Sequence, residues 1–275
     1  MKKNLIYLVK IIILIFASIG FILCFGYLAV RFGFTKTKGT IDVQTRKFIE
    51  PELAKKEIYK PFPLAHTEEW IAFRQAVTKD KVMLEKISKE TGVSERLLIA
   101  ILVPEQMRLF YTERPIFKSF FEPLKVLGSQ SQFSWGIFGI KDETARQIES
   151  HLVDKNSPFY LGPSFEKTLN FTTKDIDEER FQRIIDEHNH FYSYLYTALY
   201  VLQIESQWKK AGFPITNRPE LAATLWNVGF EKSKPKKDPS SGGSTLEINN
   251  TTYSFGELAK LFYESDEMIE IFPKK

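Results

Sequence analysis

The sequence predicts a mostly α-helical domain with a small β-hairpin near its C-terminus, preceded by one N-terminal transmembrane helix. Residues 11–30 contain no charged side chain and are long enough to span a bilayer. Downstream, apolar residues recur at helical spacing between capping and helix-breaking residues. Only the segments 245–248 and 251–253, joined by Asn249-Asn250, are typical of a hairpin.

Length and composition are those of a globular protein, with 275 residues and a formal net charge of +4. This mild positive charge fits an anionic polymer or surface as a partner. The sequence lacks the basic, aromatic-interleaved stripe of single-strand binders, so no nucleic acid is expected. Cys24 is the only cysteine, which excludes a disulfide framework and a cysteine-based metal site.

The uncharged run is predicted to be an uncleaved membrane anchor, residues 1–31. A signal peptide has a shorter apolar core and a small-residue cleavage site, and neither is evident here. Basic residues lie on both sides of the run, so charge alone gives no orientation. Residues 32–65 mix basic residues with prolines and are expected to be a juxtamembrane linker. The globular domain is expected to cover residues 66–275.

Capping residues and breakers divide this domain into helices and loops. Thr67 and Ser94 are expected to cap two helices, and Gly92 to end the helix over 79–91. Ser254 and Glu257 have the spacing of a capping box before the last helix. Further helices are expected from Asp142, over 177–210 and over 217–229; irregular segments are expected over 111–133, 154–175 and 231–243.

Glu105 is the first candidate functional residue. Steps of three, four and seven from Leu98 reach Ile101, Leu102 and Glu105, so this acid lies on the stripe expected to face the core. Burial favours the protonated carboxyl that a general acid needs. Pro104 should kink the helix and turn the carboxyl into a cleft. The alternative is that Glu105 pairs with Arg108 at a helix end.

Several familiar site motifs are not found. His188-Asn189-His190 has two histidines that do not share a helix face, and it is expected to be a solvated polar face. The sequence contains no HExxH, phosphate loop, GxSxG or dinucleotide fingerprint. No metal and no cofactor are therefore expected.

Three blocks follow one another between residues 80 and 230: 92–105, with a turn glycine before Glu105; 134–140, followed by Thr144-Ala145; and 222–229. In this order and spacing they resemble the lysozyme-like lytic transglycosylases, the group of soluble lytic transglycosylase and goose-type lysozyme. The family's serine after the glutamate is Gln106 here, its block glutamine is Gly139 and its tyrosine is Trp226. The gap from Glu105 to Ser134 is also longer than usual. The resemblance implies a lysozyme-like α-helical fold.

The resemblance also implies a reaction and a substrate. Glu105 would be the general acid and then base that cleaves the β-1,4 bond between N-acetylmuramic acid and N-acetylglucosamine, while the sugar's 6-hydroxyl attacks. Peptidoglycan glycan strands would be the partner, contacted by Gln106, Ser134, Trp135, Gly136, Phe138, Trp226 and Asn227. A tether beside the cell wall implies that the domain lies on the extracytoplasmic side of the cell membrane.

Alternatives remain at several of these positions. Core packing is the favoured role for Phe138. Asp142 and Glu143 are candidates for a second carboxylate, but acids in the first turn of a helix are explained by its dipole. The product could arise by hydrolysis instead of by transglycosylation. A membrane-anchored scaffold or glycan-binding protein that keeps the fold without turnover is the alternative function.

Overall fold

The computed structural model describes residues 61–111 and 134–274. These residues form a mostly helical domain with eight α-helices and two small antiparallel strand pairs. The predicted membrane anchor lies outside the described residues. In the part that is described, no helix is both long enough and apolar enough to cross a bilayer. Phe62 and Leu64 are buried in the core, so the packed domain includes residues that the sequence assigned to the linker.

The first three helices are α1 (Glu68–Lys79), α2 (Lys81–Thr91) and α3 (Glu95–Tyr111). The predicted caps are confirmed: the Thr67 side chain accepts a hydrogen bond from the Trp70 amide at 3.2 Å, and Ser94 Oγ accepts one from the Leu97 amide at 3.2 Å. Gly92 has φ 81° and ends α2 in the left-handed conformation. Local sequence therefore fixes where the helix that carries Glu105 begins.

A short strand pair precedes the middle helices. Strands β1 (Ser134–Trp135) and β2 (Ile140–Lys141) pair antiparallel around the turn 136–139. Helix α4 (Asp142–Val153) follows directly.

The helix predicted over 177–210 is two helices, α5 (Ile176–Ile185) and α6 (Phe191–Lys210). Asp186 Oδ1 accepts hydrogen bonds from the amides of His188 and Asn189 at 2.9 and 3.0 Å. Such side-chain bonds compete with the helical ladder and end it. The single-helix prediction was wrong at this point, and His188-Asn189-His190 lies at the break instead of on a helix face.

The chain then forms α7 (Pro219–Val228), β3 (Thr245–Ile248), β4 (Thr251–Ser254) and α8 (Phe255–Glu264). The predicted hairpin is confirmed, with Ile248 opposite Thr251. Asn249 and Asn250 have φ of 50° and 63°, as a tight hairpin turn requires. The capping box of Ser254 and Glu257 is present.

The core centres on α6, whose aromatic side chains are buried as a central helix requires; they include Tyr194, Tyr196, Tyr200 and Trp208. Helices α2, α4, α5 and α7 pack around it, and α3 packs against α7 and α8. A second aromatic cluster joins the two ends of the domain, because Phe262 of α8 contacts Phe62 and Trp70 at centroid distances of 5.8 and 5.6 Å.

Arg96 fastens α3 to the C-terminal segment. It has no exposed surface, and its five N–H groups donate to the carbonyl oxygens of Phe262, Tyr263, Ser265, Glu267 and Phe272 at 2.7–3.0 Å. Burial lowers the pKa of Arg96, and the neighbouring Tyr263, Asp266 and Glu267 offset part of this effect. A cation at the C-terminus of α8 also suits the helix dipole.

Candidate functional site

Glu105 lies in the second half of α3 and is only 3% exposed. Leu98, Ile101 and Leu102, on the same stripe, are also buried, so the predicted inward orientation is confirmed. Arg108, one turn further along, donates a hydrogen bond to Glu105 Oε1. The ion pair expected as the alternative is therefore present.

Gln106 joins α3 to the turn between β1 and β2. Its side-chain amide is half-buried and donates to the carbonyl oxygen of Ile137. This bond connects the residue after Glu105 with the second block of the sequence. Its Nε2 group is thus used within the protein, whereas no hydrogen bond within the described residues uses Oε1.

The turn itself requires glycine at position 136. Gly136 has φ 65°, and a Cβ atom there would collide with the carbonyl oxygen of Ile184 and lie 2.7 Å from Ser193 Oγ. The turn therefore packs closely against the end of α5 and the start of α6. Ser134 and Trp135, predicted to contact substrate, form β1, with Ser134 opposite Lys141.

Phe138 belongs to the core. It has no exposed surface, and its ring meets Tyr194 and Trp226 edge-on at centroid distances of 5.3 and 5.8 Å. The favoured role of core packing is therefore confirmed. As a substrate contact the residue is misplaced, because its ring reaches no surface and instead supports Trp226.

Trp226 provides the partly exposed aromatic surface of this region. Its ring also packs against Tyr200 at 4.9 Å, and Tyr200 donates to the Leu225 carbonyl oxygen at 2.7 Å. The indole is thus supported from two directions by buried rings. A half-buried, rigidly held indole can stack on the apolar face of a ring-shaped ligand.

Asn227 holds the chain that returns from the loop 231–243. Its Oδ1 accepts hydrogen bonds from the amide and the hydroxyl of Ser244 at 2.7 and 3.0 Å. The Nδ2 group makes no hydrogen bond with any residue in the described ranges. Asn227 thus has a structural role through its oxygen, and its N–H donors remain for a ligand.

The three sequence blocks meet in space. Gln106 connects the end of α3 to the β1–β2 turn, Phe138 of that turn contacts Trp226 of α7, and α3 packs directly against α7. Glu105, the turn and Trp226 therefore belong to one region of the domain, although they lie far apart along the chain.

The two candidates for a second carboxylate differ. Glu143 is exposed, whereas Asp142 is buried, accepts a hydrogen bond from Arg146 at 2.7 Å and lies 3.6 Å from Arg180. Asp142 is thus part of an ion-pair cluster between α4 and α5, as its position before Arg146 in the helix allows. Neither residue is paired with Glu105.

Sequence reasoning missed the centre of that cluster, Arg180. It is 3% exposed, forms a two-bond pair with Glu149 at 2.6 and 2.7 Å, and donates to Asp177 at 2.7 Å. Burial by itself would lower the pKa of Arg180, but these acids raise it well above its usual value. A pocket of about 430 Å³ lies beside it. The spacing of Asp177 and Arg180 was the available signal.

A second missed cluster links α6 to the junction of α1 and α2. Asp80 Oδ2 is 2.8 Å from His190 Nδ1 and accepts a hydrogen bond from the Tyr194 hydroxyl at 3.0 Å. The bond to Asp80 raises the pKa of His190, and burial raises the pKa of Tyr194. In the described ranges, no group of three or more His, Cys, Asp or Glu residues could hold a metal ion.

No protein-family model, curated protein or solved structure matches the chain.

Proposed function

We propose that the protein is a membrane-anchored lytic transglycosylase that cleaves peptidoglycan strands on the extracytoplasmic side, with Glu105 as the general acid and base. The observation that carries the proposal is the meeting of the three blocks around the end of α3, next to a buried carboxyl group.

The reaction needs one carboxyl group. Protonated Glu105 donates its proton to the glycosidic oxygen as the bond from the muramyl C1 to that oxygen breaks. The carboxylate then takes the proton of the sugar's 6-hydroxyl, whose oxygen bonds to C1 and closes an anhydro ring. The Trp226 indole offers an apolar face to a sugar, and Asn227 Nδ2 offers donors.

Arg108 sets a condition on this mechanism. Its side chain donates a hydrogen bond to Glu105 Oε1, so Arg108 engages one carboxyl oxygen and the other must face the glycosidic oxygen.

The test is digestion of purified peptidoglycan by the full chain and by Glu105→Gln, with released fragments identified by mass spectrometry. Glu143→Gln is the matched control, because it makes the same change at an exposed position. We expect anhydro-muramyl products from the native chain and the control, and a loss of about 100-fold or more in Glu105→Gln. Products carrying one additional water would instead identify a hydrolase.

The second candidate is a scaffold that binds glycan strands without cleaving them. The Glu105–Arg108 pair favours it, because it engages the carboxyl group in a contact within the protein. In that case the native chain binds peptidoglycan but releases no fragments, and Glu105→Gln changes neither property. Cleavage that is lost in Glu105→Gln excludes the scaffold.

A further inference from the structure

The loop that follows α7, residues 231–243, carries an uncompensated positive charge. Its four lysines are all exposed, and they are Lys232, Lys234, Lys236 and Lys237. Glu231 and Asp238 are the only acids in this loop, so four positive and two negative charges leave a net charge of +2. None of the four ammonium groups forms an ion pair within the described part of the chain.

The first end of this loop is fixed to α6. Ser233 is buried; its hydroxyl donates to Gln207 Oε1 at 2.6 Å and accepts from Trp208 Nε1 at 2.9 Å. The Ser233 carbonyl oxygen accepts from Gln207 Nε2 at 3.0 Å. The lysines therefore extend from a point that the core holds in place.

The other end is fixed to α7, beside the candidate site. The Gly242 amide donates to Thr224 Oγ1 at 2.9 Å, and the Ser244 amide donates to Asn227 Oδ1 at 2.7 Å. Asn227 directly follows Trp226, the partly exposed ring of the site. A ligand lying on Trp226 is thus next to a segment that rejoins the lysine loop.

We propose that the loop 231–243 binds the carboxylate groups of the peptide stems on the glycan strand, and this rests on the substrate proposed above. Glycan sugars are mostly neutral, whereas their peptide stems bear free carboxylates, so a strand on Trp226 brings negative charge to the lysines. Ammonium groups on flexible stems suit carboxylates whose positions vary from one stem to the next. The fixed ends of the loop keep this charge close to the strand.

An anionic membrane surface would also attract lysines. The attachment of the loop to Asn227 favours the strand, because it couples the lysines to the site itself. Binding to vesicles is therefore measured as a separate outcome.

The experiment measures binding of the full chain, in neutral detergent, to sacculi with intact stems and to strands stripped of peptides by an amidase. The loop variant replaces Lys234, Lys236 and Lys237 by Gln. The control replaces Lys89, Lys167 and Lys174 by Gln. These three lysines are also exposed, so the control removes the same charge from another part of the surface. Glu105→Gln is introduced into every protein so that cleavage does not disturb the binding measurement.

We expect the loop variant to bind intact sacculi about tenfold more weakly at low salt, since each exposed pair contributes modestly. This difference should shrink as salt is added. It should be much smaller on stripped strands, which keep only the lactyl carboxylate that the amidase leaves on each muramic acid. Equal binding by the loop and control variants, or equal weakening on stripped strands, overturns the inference. Weaker binding by the loop variant to vesicles of anionic lipid alone, with unchanged binding to sacculi, also overturns it. Stem-dependent binding here, together with no cleavage by the native chain in the digestion described above, would leave this inference standing and refute the catalytic proposal.

Discussion

Replacing Arg96 by Met should destabilise the domain severely. Met keeps much of the aliphatic volume but removes five hydrogen bonds to carbonyl oxygens. Hydrogen bonds to charged groups contribute about 1.5–3 kcal/mol each, but they are not additive around one guanidinium. Breaking a buried charged network costs about 3–5 kcal/mol. We expect a loss of about 4 kcal/mol, a large part of the ~5–15 kcal/mol that holds a typical domain.

The measurement is urea unfolding of the full chain, followed by tryptophan fluorescence. Trp70 reports on the affected region, because its indole donates to Glu267 at 3.1 Å. Arg74→Met is the control, since Arg74 is exposed on α1 and should change stability by less than ~0.5 kcal/mol. Arg96→Lys should fall between the native chain and Arg96→Met, as an ammonium cannot reach five carbonyls. A loss below ~1 kcal/mol in Arg96→Met, or full stability in Arg96→Lys, would refute the reasoning.

Two further variants test the site and its surroundings. Gly136→Ala should lower the free energy of unfolding by about 2–4 kcal/mol, because of backbone strain and the collision with Ile184. The control is Gly212→Ala, which is strained but has no atom within 4 Å of the added Cβ, and it should cost only ~1 kcal/mol. Equal losses in the two variants would contradict the collision. Because Asp80 raises the pKa of His190, the stabilisation by this pair is complete below the unfolded value near 6.5 and is lost as the pH rises through the higher folded value. The free energy of unfolding, obtained from urea unfolding between pH 5.5 and 8.5, should decline by about 0.5–1 kcal/mol. The decline should be absent in His190→Gln and present in the control His188→Gln, at an exposed position. A decline that persists in His190→Gln would assign it to another group.

The parts of the fold that the sequence predicts correctly are set by neighbouring residues. Thr67, Gly92 and the Ser254 capping box each act within one turn of their own position, so their spacing alone identifies them. The failure over 177–210 is also local. Asp186 and Asn189 fit a polar helix face by residue type, yet their side chains accept hydrogen bonds from backbone amides and break the helix.

In the candidate site, too, contacts between neighbouring residues can be predicted and contacts between distant ones cannot. The apolar stripe of α3 predicts the burial of Glu105, and the three-residue spacing predicts its pairing with Arg108. The contact of Phe138 with Trp226 joins residues from separate helices and turns, so no periodicity contains it. From its neighbours in the sequence, Arg96 is indistinguishable from an ordinary helix residue, because the carbonyl groups that it binds lie 166–176 positions away.

The aromatic and hydrogen-bonded contacts between the start of the domain and residues 262–272 determine when the domain can fold during synthesis. Trp70 and Glu267 are separated by 197 positions, and Phe62 meets Phe262 across a similar interval. A nascent chain that has emerged only as far as α7 leaves Phe62, Trp70 and Arg96 without their partners in residues 262–272. Completion of the fold must wait for the last helix and the segment after it, and the earlier helices remain exposed to misassociation until then.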